Sequence, residues 1–235
     1  MQYSHTAVSG YWIITNKHGN KFMDWFKTTL AINTPYVFFG TSETIAIAKQ
    51  FRQGLPTHYV ELNIEDMYCY KFRDRMITDP RHCPSTELNI IWNEKLFLLQ
   101  KAAALNPFQS QFFSWIDAGV CTYRNEQPPP TPFPNPTILS SLPTDKFIFT
   151  SSDRPDFQVQ YVSPTNYYHY ISGTFMLHRS FIDEFAELYK TYLEAYMSKE
   201  NIYTEQVILT YIFKDRPHLF YKLGHGYGAL LHLLK

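Results

Sequence analysis

One carboxylate stands apart in the stretch Gln111–Val120, QFFSWIDAGV. Asp117 follows a run of apolar and aromatic residues, and Gly119 comes two residues later. A carboxylate buried without partners is costly. Asp117 therefore either holds something at a strand end or is a structural acid that caps the next turn. Ligands of open α/β sheets bind beyond the carboxyl ends of the strands. There its oxygens suit a hard cation, Mn²⁺ or Mg²⁺, bridging a diphosphate.

A second candidate is LGHGYG, Leu223 to Gly228. Its glycines, Gly226 among them, let the backbone approach a ligand, and His225 can ligate a metal or donate to a phosphate oxygen. A glycine-rich turn with a surface histidine is the alternative. Neither a dinucleotide fingerprint nor a lysine-bearing phosphate loop is present. Thr204-Glu205-Gln206 places an acid at a helix N-terminus, where Glu205 acts as a base, orients a hydroxyl, or is simply a favourable first-turn glutamate. Asp153 and Arg154, in TSSDRPD, follow a strand, either beside a sugar or phosphate or in a solvated loop. Asn93, Glu94 and Lys95 fall on or near the polar side of a long helix, where Lys95 neutralises phosphate or is an ordinary exposed lysine. The aromatic cluster Tyr167–Tyr170 suits sugar stacking or core packing. No Ser-His-Asp, Cys-His or H-E-x-x-H arrangement supports a hydrolase or zincin.

These residues need elements to position them. Tyr11–Thr15 reads as a strand, Lys21–Ile32 as a helix, and NTPYVFFG as a second strand. A helix capped at Ser42 runs toward Arg52, and THYVEL is a third strand. Glu87–Ala104 carries a strong helical apolar stripe, and QFFSWID fits a buried strand. Six prolines between Pro128 and Pro136 make a surface loop at about 126–143, with a linker as the rival reading. DKFIFTSS and YYHYISGTFMLHR resume the strands. A helix capped at Ser180, another capped at Thr204, and a strand-like LFYKL complete the pattern. The rhythm predicts an α/β fold with a mostly parallel central sheet flanked by helices, in one domain spanning 1–235.

The chain has 235 residues, 21 Lys plus Arg and 21 Asp plus Glu. That balance gives no support for nucleic-acid backbone binding. Three cysteines without paired spacing argue against a disulfide framework or a zinc cluster. No leader-like start and no 18-residue apolar run occurs, so the expected compartment is cytoplasmic. Short amphipathic surfaces leave room for peripheral contact with the inner face of a membrane.

The segments GYWIITNKHG, LAINTPYVFFG, LNIIWNEKLFLLQKA, NPFQSQFFSWIDAG, DKFIFTSSD, YYHYISGTFMLHRSFIDEF and TEQVILTYIFKDRPHLFYKLGHGYG together resemble the bacterial HtrL/YibB (WlaTC-like) family. The resemblance runs from about Tyr11 to Leu230. It implies a GT-A-like glycosyltransferase associated with surface-polysaccharide gene clusters. A weaker similarity links the chain to GT-A sugar-nucleotide transferases of the glycogenin and galactosyltransferase group. In that group a D-x-D at a strand end binds the metal and the nucleotide diphosphate. Here the matching letters are DAG, with Asp117 as the first acid and Gly119 in place of the second. YISGTFML is similar to the N-A-G strand through Ser172-Gly173, TEQVIL to the D-Q helix start, and KLGHGYG to the late histidine-glycine segment.

The resemblance implies that Asp117 and His225 hold Mn²⁺ or Mg²⁺. With it, Asp117, Lys95, Thr15, Gly173 and Gly226 are the expected contacts to a nucleotide diphosphate-sugar donor, and Glu205 or Asp153 the candidates for a base if the enzyme inverts. The implied acceptor is a glycan or lipid-linked glycan, in surface polysaccharide or lipopolysaccharide synthesis. The alternative is a noncatalytic carbohydrate- or nucleotide-binding protein of a polysaccharide-assembly system.

Overall fold

The computed structural model describes residues 3–15, 18–151, 163 and 170–235. Asp153, Arg154 and Tyr167 to His169 lie outside the described residues. The chain alternates β1 (His5–Tyr11), α1 (Lys21–Leu30), β2 (Tyr36–Gly40), α2 (Ser42–Phe51) and β3 (Thr57–Glu61), then passes through 3-10 turns to α3 (Thr86–Leu105) and β4 (Phe112–Trp115). A short α4 (Pro136–Ser140) precedes β5 (Phe147–Ser151), β6 (Ile171–His178), α5 (Arg179–Met197), α6 (Glu205–Asp215), β7 (Phe220–His225) and α7 (Leu230–Leu233).

Local chemistry accounts for most boundaries. Ser85 Oγ accepts from Leu88 N at the start of α3, and Thr204 caps α6 through Gln206 N. Two caps fall one or two residues from their expected positions. Thr41, not Ser42, receives Thr44 N, and His178, not Ser180, receives Ser180 N. The first strand is displaced further, ending at Tyr11 instead of beginning there. Its less β-prone residues are drawn into the sheet centre by pairing on both sides, Ala7 with Tyr36 and His5 with Phe112. The aromatic stretch after Tyr11 leaves the sheet instead, and Trp12 is fixed by an indole hydrogen bond to Leu62 O at 2.8 Å.

The seven strands form one sheet in the order β3-β2-β1-β4-β6-β5-β7. Every pairing is parallel except those of β6, which runs antiparallel to both β4 and β5. Strand order reverses between β1 and β4, so their carboxyl ends flank a topological switch point. Alternation along β4 sends Phe113 and Trp115 into the core beneath α3, α5 and α6. Phe112 and Ile116 enter the opposite core with α1, α2 and α7.

The proline-rich stretch is tied to this second layer. Phe133 is buried and donates its N–H to Asn33 O at 2.9 Å, and Asn33 Nδ2 reaches Pro130 O at 2.7 Å. Among the described residues no helix is long and apolar enough to cross a membrane.

Arg52 closes the β2 end of the fold. Its buried guanidinium donates to Thr57 Oγ1 and to the carbonyls of Leu30, Ile32, Thr34 and Pro56 at 2.7–3.0 Å, and stacks on Tyr36 at 4.3 Å. Four carbonyls, from the end of α1 and the two loops before β2 and β3, thus share one donor set. Arg52→Met should leave them unpaired and lower unfolding free energy by about 3–5 kcal/mol in urea titration. A loss under about 1 kcal/mol would show that water replaces the guanidinium at no cost.

Candidate active site

Beyond the carboxyl ends of β1 and β4 lies a cavity of about 150 Å³. Gly10 and Tyr11 come from β1, Trp115 and Asp117 from β4 and its extension, and Trp92 from α3. Asp117 is two residues past Trp115 and so lies on the same face of the strand, toward α3. The sheet-order reversal and the strand-end carboxylate therefore meet at one place.

Below the cavity, Lys95 joins three elements. Its Nζ lies 2.8 Å from Asp117 Oδ1 and 2.6 Å from Glu205 Oε1, and donates to Gly173 O at 3.3 Å. An ammonium has three N–H donors, and here each has an oxygen. Trp115 Nε1 donates to the same Asp117 Oδ1 at 2.8 Å, fixing the carboxylate from a second side. Lys95 and Glu205 side chains are 2% exposed, whereas Asp117 is 26% exposed and reaches the cavity.

Gly173 leaves room for the ammonium. A Cβ there would lie 3.1 Å from Lys95 Nζ and 3.4 Å from both Asp117 Oδ2 and Glu205 Oε1. Glu205 is aimed by the docking of α6 on β6: Gln206 Nε2 donates to Ile171 O at 2.5 Å, and Thr210 Oγ1 accepts from Tyr170 N and Ile171 N.

Burial opposes the charge on Lys95, but Asp117 and Glu205 outweigh it and raise the lysine above its ordinary range. Glu205 is pushed up to about 7 by burial, which Lys95 opposes and Asp117 reinforces. The cluster therefore holds a permanent cation, an acid facing the cavity, and a buried acid that changes charge near neutrality.

Lys95 does not occupy a polar helix side as expected. The helix α3 is buried around most of its girth, and its polar residues are individually matched. Asn89 Nδ2 donates to Ile77 O and Ile202 O, and Glu94 accepts from Tyr68 N and Cys69 N. Lys95 is buried, has its donors on protein oxygens and does not line the cavity. Glu205 is likewise interior and does not line the cavity.

Other candidates are dispersed. Thr15 is exposed beyond β1, one residue past the cavity wall at Ile14. His225 ends the edge strand β7, three strands from β4, roughly 14 Å at about 4.8 Å per strand. Its Nδ1 pairs with Ser151 Oγ at 2.8 Å. Gly226 adopts φ 112°, a left-handed turn that glycine suits, and donates its N–H to Ser151 O. That turn returns toward the chain after β4, where Thr122 Oγ1 donates to Gly228 O, and so delivers Tyr227 to the cavity. Tyr227, Arg124 and the indole partner Trp115 were not singled out from sequence. Only Trp115 left a signal, two residues from Asp117 on one strand face.

Mn²⁺ or Mg²⁺ at Asp117 would need further oxygen or imidazole donors. Among the described residues no three His, Cys, Asp or Glu side chains cluster suitably. A Cβ on Gly119 would lie 2.7 Å from the Phe22 ring, so a second acid there would have to displace that ring. The ammonium of Lys95, 2.8 Å from Asp117 Oδ1, also repels a cation. The described donor set does not fit a divalent ion.

A family model described as "Bacterial protein of unknown function (HtrL_YibB)" matches residues 57–231, a span that includes Lys95, Asp117, Gly173 and Glu205. The chain belongs to this family. Among curated proteins no sequence matches significantly. Among solved structures, mouse xyloside xylosyltransferase 1 is similar with a TM-score of 0.58 at 12% identity, over 93% of this chain and 84% of that one. The glycosyltransferase GlyE of Streptococcus pneumoniae is similar at a TM-score of 0.47 and 9% identity, over 94% of this chain and 45% of that one. The 4-diphosphocytidyl-2C-methyl-D-erythritol synthase of Anaerococcus prevotii is similar at a TM-score of 0.46 and 12% identity, over 95% and 88%. The shared fold is of the GT-A type, as the sequence resemblance implied.

Two outcomes follow for the family member described here. Glu205 favours its protonated form in the folded state, so its stabilising contribution is complete below about pH 4.5 and is lost as pH rises to about 7. Relative to Glu205→Gln, the wild type should lose stability across that window and change little above it, as read by urea melts at several pH values. A pH-independent difference would show an ordinary carboxylate. Gly119→Asp should destabilise the fold by about 1–3 kcal/mol through its clash with Phe22. Adding Phe22→Ala should recover part of that loss, and equal stability of the single and double variants would refute the steric reading.

Proposed function

We propose that the protein is a glycosyltransferase that moves a sugar from a nucleotide diphosphate-sugar to a hydroxyl of a glycan or lipid-linked glycan. The observation that carries this reading is Asp117, presented at the switch-point cavity of a GT-A-type sheet and held from below by Lys95 and Trp115. The aromatic walls at Tyr11, Trp12 and Trp92 offer flat faces to a base or a sugar ring. The oriented carboxylate stabilises positive charge that grows on the sugar as its bond to the diphosphate breaks. Glu205 then serves as a positioning residue, accepting from Lys95 below the cavity without touching substrate. Membership of the HtrL/YibB family supports a place in surface polysaccharide or lipopolysaccharide synthesis.

The glycine at 119 favours a second reading, a noncatalytic binder of nucleotide-sugars or glycans. Phe22 fills the space a second acid would need, so the usual metal-diphosphate grip is missing among the described residues.

A panel of nucleotide-sugars, assayed for thermal stabilisation and for turnover or hydrolysis, separates the two. The transferase reading expects turnover with at least one donor. Asp117→Asn keeps an oxygen for Lys95 and Trp115, and should cut that turnover about 100-fold or more with the melting profile retained. Stabilisation without turnover would leave the binding reading standing. Neither effect with any donor would refute both.

A further inference from the structure

We infer that Arg124 supplies the positive charge that holds a diphosphate in the cavity, at the place where a divalent ion would otherwise act. The nature of the ligand rests on the proposed function; the anion site itself rests on the geometry.

Arg124 follows the 3-10 turn Cys121–Tyr123 and lines the same cavity as Asp117. Among the described residues it is the only lysine or arginine that lines that cavity. Its guanidinium carbon lies over the Trp25 ring, 4.1 Å from the centroid, which holds the group against the aromatic face. Nε and Nη2 donate to Gly119 O at 3.3 and 3.1 Å, which fixes its rotation. This single carbonyl takes two of the five N–H donors, and the remaining fork suits the paired oxygens of a phosphate. Among the described residues no carboxylate forms a salt bridge with it.

Charge balance around the cavity sharpens the assignment. Lys95 cancels one of the two carboxylates and spends its three donors in doing so. The Lys95–Asp117–Glu205 cluster therefore brings no net positive charge to an incoming diphosphate. Arg124 does, and in a form that geometry has already oriented. Gly119 links the two features. Its Cβ space belongs to Phe22, which denies a second metal ligand, while its carbonyl aims the guanidinium.

Calorimetric titration with inorganic pyrophosphate and with UDP, GDP, ADP and CDP, each in excess EDTA, tests the assignment. Wild-type protein should bind pyrophosphate and at least one nucleoside diphosphate, with affinity unchanged when EDTA is replaced by Mn²⁺. Arg124→Gln should weaken both about ten- to a hundred-fold, and Arg124→Lys should retain part of the affinity. Circular dichroism melts confirm that both variants fold. Binding that vanishes in EDTA, wild-type affinity in a folded Arg124→Gln protein, or no binding of any of these anions would overturn the inference. Should only pyrophosphate bind, and depend on Arg124, the anion site stands while the nucleotide-sugar reading falls. Should nucleotide-sugars turn over equally well with Arg124→Gln, the inference falls and the transferase reading stands.

Discussion

The ammonium of Lys95 is held by oxygens from three elements far apart in sequence: the extension of β4, the body of β6 and the first turn of α6. A buried charge is tolerable only when its attractions and hydrogen bonds are nearly complete. That demand fixes more than one side chain. It favours glycine at 173, because a Cβ there would lie 3.1 Å from Lys95 Nζ and crowd the ammonium. It requires Thr204 to start α6 where it does, so that Glu205 falls in the first turn. It also requires an apolar α3 to carry a lysine at mid-length, against the ordinary preference for exposed lysine. The return is positional: Asp117 stands at the cavity mouth with its orientation set by groups that solvent does not reach.

Topology supplies the other half of the site. A parallel sheet whose strand order reverses leaves a crevice that connecting loops cannot fill, and β1 and β4 bound it here. The antiparallel β6 then brings a strand past β4 from the opposite direction, so that its middle lies beside the carboxyl end of β4. Trp115 pairs with Phe175 in that register, which sets Gly173, two residues earlier on the same face, close to Asp117. A seventh parallel strand would have presented its own carboxyl end there and left Lys95 without the mid-strand carbonyl.

Sequence reasoning recovered what is periodic or local. The helical stripe of α3, the apolar run of β4, and the Thr204 cap follow from side-chain spacing and backbone chemistry. Asp117 was visible as a candidate because a lone acid at the end of an apolar strand is physically conspicuous. The role of Lys95 was not, because burial of α3 on nearly all sides depends on elements more than a hundred residues away in some cases, among them α6. The first strand was misplaced for a similar reason: pairing with β2 and β4 overrode intrinsic strand preference, and the better strand formers became the cavity wall. Tyr227 and Arg124 sit singly in turns, where no period marks them and only the folded chain brings them to Asp117.

The glycine at 119 is one member of a set. Phe22 can lie against the strand end only because position 119 has no side chain. Trp25, one helical turn further along α1, then falls where it can support Arg124. Arg124 in turn is turned toward Gly119 by the carbonyl of that same residue. Placing an acid at 119 alone would therefore disturb the packing of α1 and the seat of the guanidinium together. Gly119, Phe22, Trp25 and Arg124 are therefore one coupled arrangement at the strand end, set beside Asp117 and the lysine that holds it.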